Sequence, residues 1–294
     1  MRRQFFFFFC LLLPLSLSFA GGQSEANKPA AGKPAANRDF IGEAFSNMDR
    51  AFNDSELTLE DTYYLGRAVA ANILGVYRPY TLNPELTRYV NQICQTLVIN
   101  SPRPAVSFIG FYVTILDSPE FNAFASPGGH IFLTKGLVEA ASSEDMLAAV
   151  IAHELAHVIL RHGQSMISDM SFINETASIQ NKAADFAGNS PAAQKLTEFR
   201  NAVSEIIDAM VLSGYSQAQE FEADREALKI LAASGYDPGS LTEMLQILQQ
   251  VQGSRQGGFN TTHPSPAQRI ANIQGQEEAV EDSRSFRAPR FRNR

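Results

Sequence analysis

Apolar residues recur at helical spacing through most of the chain, and give way to β-branched and aromatic runs in one central stretch. From Asp39 to about Asn100 the pattern is helical. Within it Pro84 suits a first turn, and Leu86, Val90, Ile93 and Leu97 share a face. The texture changes after Pro102 and Pro104. Val106 to Leu116, rich in Val, Ile, Phe and Tyr, predicts a strand. Two shorter extended pieces follow, around Ala123-Phe124-Ala125 and His130 to Thr134, with Pro127-Gly128-Gly129 turning between them. They predict a small antiparallel sheet of three or four strands. Ser142 or Ser143 caps a long helix that starts at Glu144-Asp145 and runs to about His162, where Gly163 stops it. Ser165 to Ser213 is mostly helical in composition, broken at Gly188 to Pro191. Further helices are predicted from Ser216 to Ala233, from Pro238 to about Gln252, and from near Pro264, after a loop at 253–262. The fold class is α+β, mainly α-helical, with the small antiparallel sheet next to the Glu144 helix.

Composition narrows the class. The chain has 294 residues, 45% hydrophobic and 19% charged, which suits a real core and excludes a disordered polyelectrolyte. A net charge of -7 and a pI of about 5.3 speak against nucleic acid as a partner. The two cysteines, Cys10 and Cys94, cannot build a disulfide framework or a cysteine-rich zinc module. Cys94 falls between Ile93 and Leu97 on the helical pattern and reads as a buried, inert thiol.

The ends are expected to lie outside the domain. Arg2 and Arg3, the apolar run Phe5 to Leu13 and the small residues up to Ala20 read as a secretory signal peptide over 1–20. The run is too short and interrupted for a comfortable membrane anchor, which needs roughly 20 residues. The stretch 21–38, rich in Ala, Gly, Pro, Lys and Asn, reads as a disordered linker. The domain is expected over 39–282, and the five arginines of 283–294 read as a disordered tail.

His153-Glu154-Leu155-Ala156-His157 carries the chemistry. On a helix, histidines four apart share a face and can reach one ion, with Glu154 about 100° around the helix and able to act on a water there. Leu147, Val150, Ile151, Leu155, Val158 and Ile159 surround the motif, so the helix is expected to be buried. Two histidines and a glutamate buried together need a partner, and a metal ion supplies it. A tetrahedral site needs one more protein ligand and keeps a position for water. A third histidine ten residues after the first is excluded, because Gly163 stands there and Leu160 replaces the glycine expected before it. His162 reads as a capping or surface histidine at the helix end. Glu220-Phe221-Glu222-Ala223-Asp224 offers the alternative: Glu220 as ligand, with Glu222 as fallback, and Asp224 on the same face to accept from the far nitrogen of a metal histidine.

With these residues in place, the sequence resembles the HtpX, BepA and C-a-a-X prenyl-protease family of zinc metallopeptidases. The matching pieces are Asn122 to Ile131, Ile151 to Val158, Tyr215-Ser216 with Glu220 to Asp224, Ser234 to Pro238, and Thr262 to Ile270. They span about Tyr63 to Gln274. The resemblance implies a zincin-like (gluzincin) domain holding one zinc per chain. His153, His157 and Glu220 are then its ligands, Glu154 the general base, and Asp224 the support behind a ligand histidine. The departures are Gln217, where family members carry a basic residue, and the absence of the family's membrane spans and helical-repeat domain. The chain thus looks like a minimal, soluble, exported member, similar also to the peptidase domain of mitochondrial Oma-type enzymes.

The family pattern further suggests that Ala123, Phe124 and Ala125 form an edge strand that pairs with an extended substrate. His263 is either an oxyanion donor, a fourth zinc ligand at rest, or a plain helix-start residue, and Arg269 reads as an ion-pair partner. Met166, Ile167, Met170, Phe172 and Ile173 either cover the cleft, meet a membrane, or simply pack. The function expected is a zinc endopeptidase of the cell envelope, exported to the periplasm, that cleaves unfolded or misassembled polypeptides in quality control. Peripheral contact with a membrane or with outer-membrane assembly machinery fits that role. The alternative is a periplasmic chaperone or assembly factor with latent peptidase activity.

Overall fold

A computed structural model of the chain describes residues 58–165, 207, 214–252, 265–277 and 284–292. The stretches expected as signal peptide and linker, His263 and the apolar residues Met166 to Ile173 lie outside the described residues. The order is α1 (Leu59–Val76), α2 (Pro84–Asn100), β1 (Tyr112–Leu116), β2 (Ala123–Ser126), β3 (His130–Thr134), α3 (Lys135–Ala140) and α4 (Glu144–Ile159). Then come α5 (Gln217–Ala233), α6 (Gly239–Gln252), α7 (Pro266–Ile273) and α8 (Arg284–Arg292). None of the described helices is long and apolar enough to cross a membrane.

The helices begin where their caps place them. Asn83 accepts from the Leu86 amide with Pro84 just inside α2, and Ser143 accepts from Met146 to start α4. Ser216 and Gln219 form a reciprocal capping box on α5, and Ser265 with Pro266 opens α7. Leu86, Val90, Ile93, Cys94 and Leu97 are the buried face of α2, as their spacing predicts. Cys94 is a free thiol, and burial pushes it up to about 12, so it is chemically quiet.

The sheet is mixed, not antiparallel throughout. Its order is β1-β3-β2: β2 and β3 form the expected hairpin, but β1 runs parallel to β3, with Tyr112 opposite His130 and Leu116 opposite Thr134. The hairpin is local and legible in its turn residues. That β3 inserts between β1 and β2 is a packing outcome. Both faces of the sheet are covered. Val113, Ile115, Ala123, Ala125, Ile131 and Leu133 join the core with α2, α4, α5 and α6. Leu116, Phe124 and Phe132 meet Leu65, Val69 and Ile73 of α1 on the other side. The β1 edge is sealed by side-chain amides: Asn91 donates to the Val113 carbonyl and accepts its amide, at 2.8 and 2.9 Å, and Gln95 donates to Phe111. β2, the other edge, lies against α4.

β1 starts at Tyr112 and not at Val106. Gly110 adopts φ 93°, which breaks the extended run, and Val106, Phe108 and Ile109 stay exposed. The turn after β2 is tight because Gly128 and Gly129 both have positive φ, and α1 presses on it from below. A Cβ on Gly66 of α1 would sit 1.6 Å from the Pro127 carbonyl oxygen, with no flexible atom to give way. Gly66→Ala is therefore expected to destabilise the fold by at least about 3 kcal/mol, the upper end for overpacking. Equilibrium denaturation checks it, and a loss below about 0.5 kcal/mol, the scatter of ordinary surface changes, would refute the close approach.

Two further expectations are corrected. α4 ends at Ile159, before His162, and Gly163 is not its stop: Arg161 takes φ 58° and turns the chain, while Gly163 lets Pro127 approach. The arginine-rich end, expected as a disordered tail, is helical over Arg284–Arg292. Arg287 donates from Nε to Asp145 Oδ2 at 3.0 Å and stacks over Tyr236, while Arg290 forks onto Glu144. Acidic side chains suit the N-terminus of α4, but these two are 2% and 1% exposed and must be paired. Their partners order a helix whose four arginines and internal Pro289 would not form one alone.

Candidate metal centre

α4 packs along α5, with the small residues Ala152 and Ala156 of one helix and Ala223 and Ala227 of the other all buried. His153 and His157, one turn apart on α4, there meet Glu220 in the first turn of α5. The two Nε2 atoms stand 3.1 Å apart, and each is 3.4 Å from one Glu220 oxygen. One ligand atom from each residue lies within 4.8 Å of the others, and all three side chains are buried. Glu222, the fallback, is 55% exposed and faces away toward His162.

The second ring nitrogens are also engaged. His153 Nδ1 is 3.0 Å from Asp224 Oδ1, the contact expected of Asp224. Arg269, from α7 and 1% exposed, holds Asp224 as a fork, donating at 2.9 Å from Nε and 2.5 Å from Nη2, with Nη1 3.5 Å from Glu220. Arg269 is thus the ion-pair partner that the sequence suggested. His162 is not the surface histidine expected: it is 4% exposed, with Nδ1 2.9 Å from His157 Nδ1. Tyr215, known from sequence only as a motif residue, stacks on the His157 ring at 4.0 Å and 16°. No periodicity marks either residue, since both stand outside the regular part of their helices.

The electrostatics ask for a cation. Burial and Arg269 pull the His153 imidazole down, yet hydrogen bonds to Asp224 and Glu220 outweigh them and carry it up to about 9. Burial alone would push Asp224 up, but the Arg269 charge and His153 hold it down to about 2. Burial lowers His157 to about 3, leaving its ring neutral and able to donate a lone pair. Convergent nitrogen and oxygen donors around a position that attracts positive charge fit a divalent metal. Next to them Glu154 is 1% exposed, and its Oε1 has no hydrogen-bond partner among the described residues. Glu154 borders a cavity walled by Leu137, Val150, Leu241, Leu245 and Leu248. Burial there pushes its carboxyl up to about 7, with Glu220 adding to the rise and His153 opposing it.

On the other side, Ala125 of β2, Pro127 and Gly128 enclose a narrow cavity with His157 and Tyr215. The structure thus brings together His153, Glu154, His157, Glu220 and Asp224, and sets β2 beside them.

A mainly helical domain with a small sheet, a buried His-His-Glu set and an adjoining carboxylate has the parts of a metallopeptidase. The model of Peptidase family M48 matches residues 84–277, about two thirds of the chain, and the chain belongs to that family. Among curated relatives, the mitochondrial metalloendopeptidase OMA1 of Schizosaccharomyces pombe is 27% identical over 233 residues, which cover 76% of this chain and 63% of the relative. The beta-barrel assembly-enhancing protease of Escherichia coli K12 is 30% identical over 202 residues, covering 66% and 39%. The chain therefore spans less than two thirds of the length of these relatives.

Proposed function

We propose that the chain is a zinc endopeptidase, with His153, His157 and Glu220 as ligands of one ion and Glu154 as the general base and acid. The observation that carries this is the convergence of three buried donors beside a carboxyl held up to about 7. Zinc, when bound there, supplies a Lewis acid that acidifies water and polarises a peptide carbonyl. Glu154 accepts the water's proton at its carboxylate and passes it to the amine of the departing half. Its acidity near neutral pH suits both transfers. Asp224 accepts from His153 Nδ1 and so keeps the Nε2 lone pair toward the ion, while Arg269 holds Asp224 still.

The β2 edge beside α4 supports an extended polypeptide as substrate, since backbone pairing favours unfolded segments over a fixed side-chain sequence. The apolar N-terminal run and the name of the Escherichia coli relative support an exported protease in envelope quality control. Metal analysis with a cleavage assay tests the reading. We expect one zinc per chain, loss of unfolded-casein cleavage on chelation, and recovery with stoichiometric zinc. Cleavage that persists without metal refutes it. Suppression of aggregation by a protein that never cleaves would favour the chaperone instead.

A further inference from the structure

The two histidines of the centre differ in what stands behind them. His153 has a carboxylate there, Asp224, locked by Arg269. Behind His157 stands another imidazole. His157 Nε2 faces His153 and Glu220, so for that nitrogen to offer its lone pair, the ring proton must sit on Nδ1. The atom 2.9 Å from Nδ1 is His162 Nδ1. Of two ring nitrogens at that distance, one donates and the other accepts. His157 Nδ1 donates, so His162 Nδ1 accepts and the His162 proton is on Nε2. That atom is buried and makes no hydrogen bond among the described residues; Glu222 Oε2, on a side chain that is 55% exposed, stands 3.6 Å from it, an ion-pair distance and not a hydrogen bond.

We propose that His162, with Glu222 facing its far nitrogen, is a positioning residue that fixes the tautomer and ring plane of His157 for the metal. The inference rests on the metal reading above.

Three features support it. The His157 ring is held on two sides, stacked at 16° on Tyr215 and met edge-on by His162 at 71°. The backbone is bent to bring His162 there. Had α4 continued, a residue five places on would lie about 140° around the helix, on a different face. Arg161 instead adopts φ 58°, a left-handed conformation unfavourable for a residue with a side chain, and the turn returns His162 beneath His157. Charge explains the choice of group. Glu154, Glu220 and Asp224 are already buried here. A carboxylate in place of His162 would add another buried negative charge, whereas an imidazole accepts the hydrogen bond while neutral and leaves the charge on exposed Glu222.

The test is the zinc dissociation constant of the full chain, by chelator competition, with the thermal midpoint of the metal-free protein recorded alongside. His162→Phe keeps a flat ring without the acceptor, and is expected to weaken zinc by about 10- to 100-fold. His162→Asn sets an amide oxygen at the place of Nδ1 and should recover most of that loss. His162→Gln, whose oxygen reaches instead to the place of Nε2, should not. Glu222→Gln should weaken zinc by less than His162→Phe. Wild-type affinity in His162→Phe overturns the proposal. So do equal losses in the Asn and Gln variants, a contrast that decides the matter even if the Phe variant does not fold. An unchanged constant in Glu222→Gln removes Glu222 from it. A wild-type chain that takes up no zinc is a separate result, and overturns the metal reading itself.

Discussion

Glu154→Gln is expected to bind zinc as wild type does and to cleave unfolded casein about 10²- to 10⁴-fold more slowly, the range for loss of a general acid–base group. The amide matches the carboxylate in size, so the ligand geometry should stay. Glu154 supplies no ligand atom to the His153, His157 and Glu220 set, which is why metal content and turnover should separate. The substitution also replaces a buried carboxyl with a group that carries no charge, so stability should hold or rise. Single-turnover cleavage and metal content on one preparation are the measurements. Turnover within a few-fold of wild type would move the base elsewhere. Loss of zinc together with activity would make Glu154 a structural part of the centre.

The second large effect lies far from the metal, at the start of the same helix. Arg287→Ala is expected to cost about 3–5 kcal/mol, the range for removing one partner of a buried ion pair. Of the contacts described, Asp145 would keep only the amide of Asp237. Arg290→Ala is expected to cost no more than about 1 kcal/mol, because its side chain is 56% exposed and solvent screens it. Glu144 also keeps the hydroxyls of Tyr89 and Tyr236, at 2.7 and 3.0 Å. The ordering of the two variants in urea denaturation is the critical outcome. If both lie within about 0.5 kcal/mol of wild type, the typical spread for surface sites, α8 contributes nothing to α4.

Much of this molecule is readable along the chain, and the reason differs by element. α2 shows itself through Pro84 and four apolar residues at helical spacing, α5 through Ser216 and its box partner, and the hairpin through Pro127-Gly128-Gly129. Each is set within a few residues, by a cap, a turn or a face. His153, Glu154 and His157 are legible on the same terms. Glu220 and Asp224 needed one step more, the meeting of two helices, and their four-residue spacing shows only that they share a face.

His162 was not readable. Its place depends on Arg161 leaving the helical region, and nothing in the local pattern announces that. The pairing of Arg287 with Asp145 joins residues 142 positions apart, and a run of arginines looks the same whether solvated or docked. The signal that was present is modest: Arg287, Arg290 and Phe291 fall on one side of a helix, and two acids open α4.

By itself, then, the sequence determined the helix carrying His153, Glu154 and His157, the hairpin beside it and the acidic helix that faces it, because short-range periodicity and caps specify such elements. Tertiary structure alone decided three things: that β3 lies between its neighbours, that His157 is backed by His162, and that the arginine-rich end folds onto α4. In each case the deciding force is the need to pair or cover buried polar groups. Partners for such groups are chosen by proximity in space, which the order of residues along the chain does not reveal.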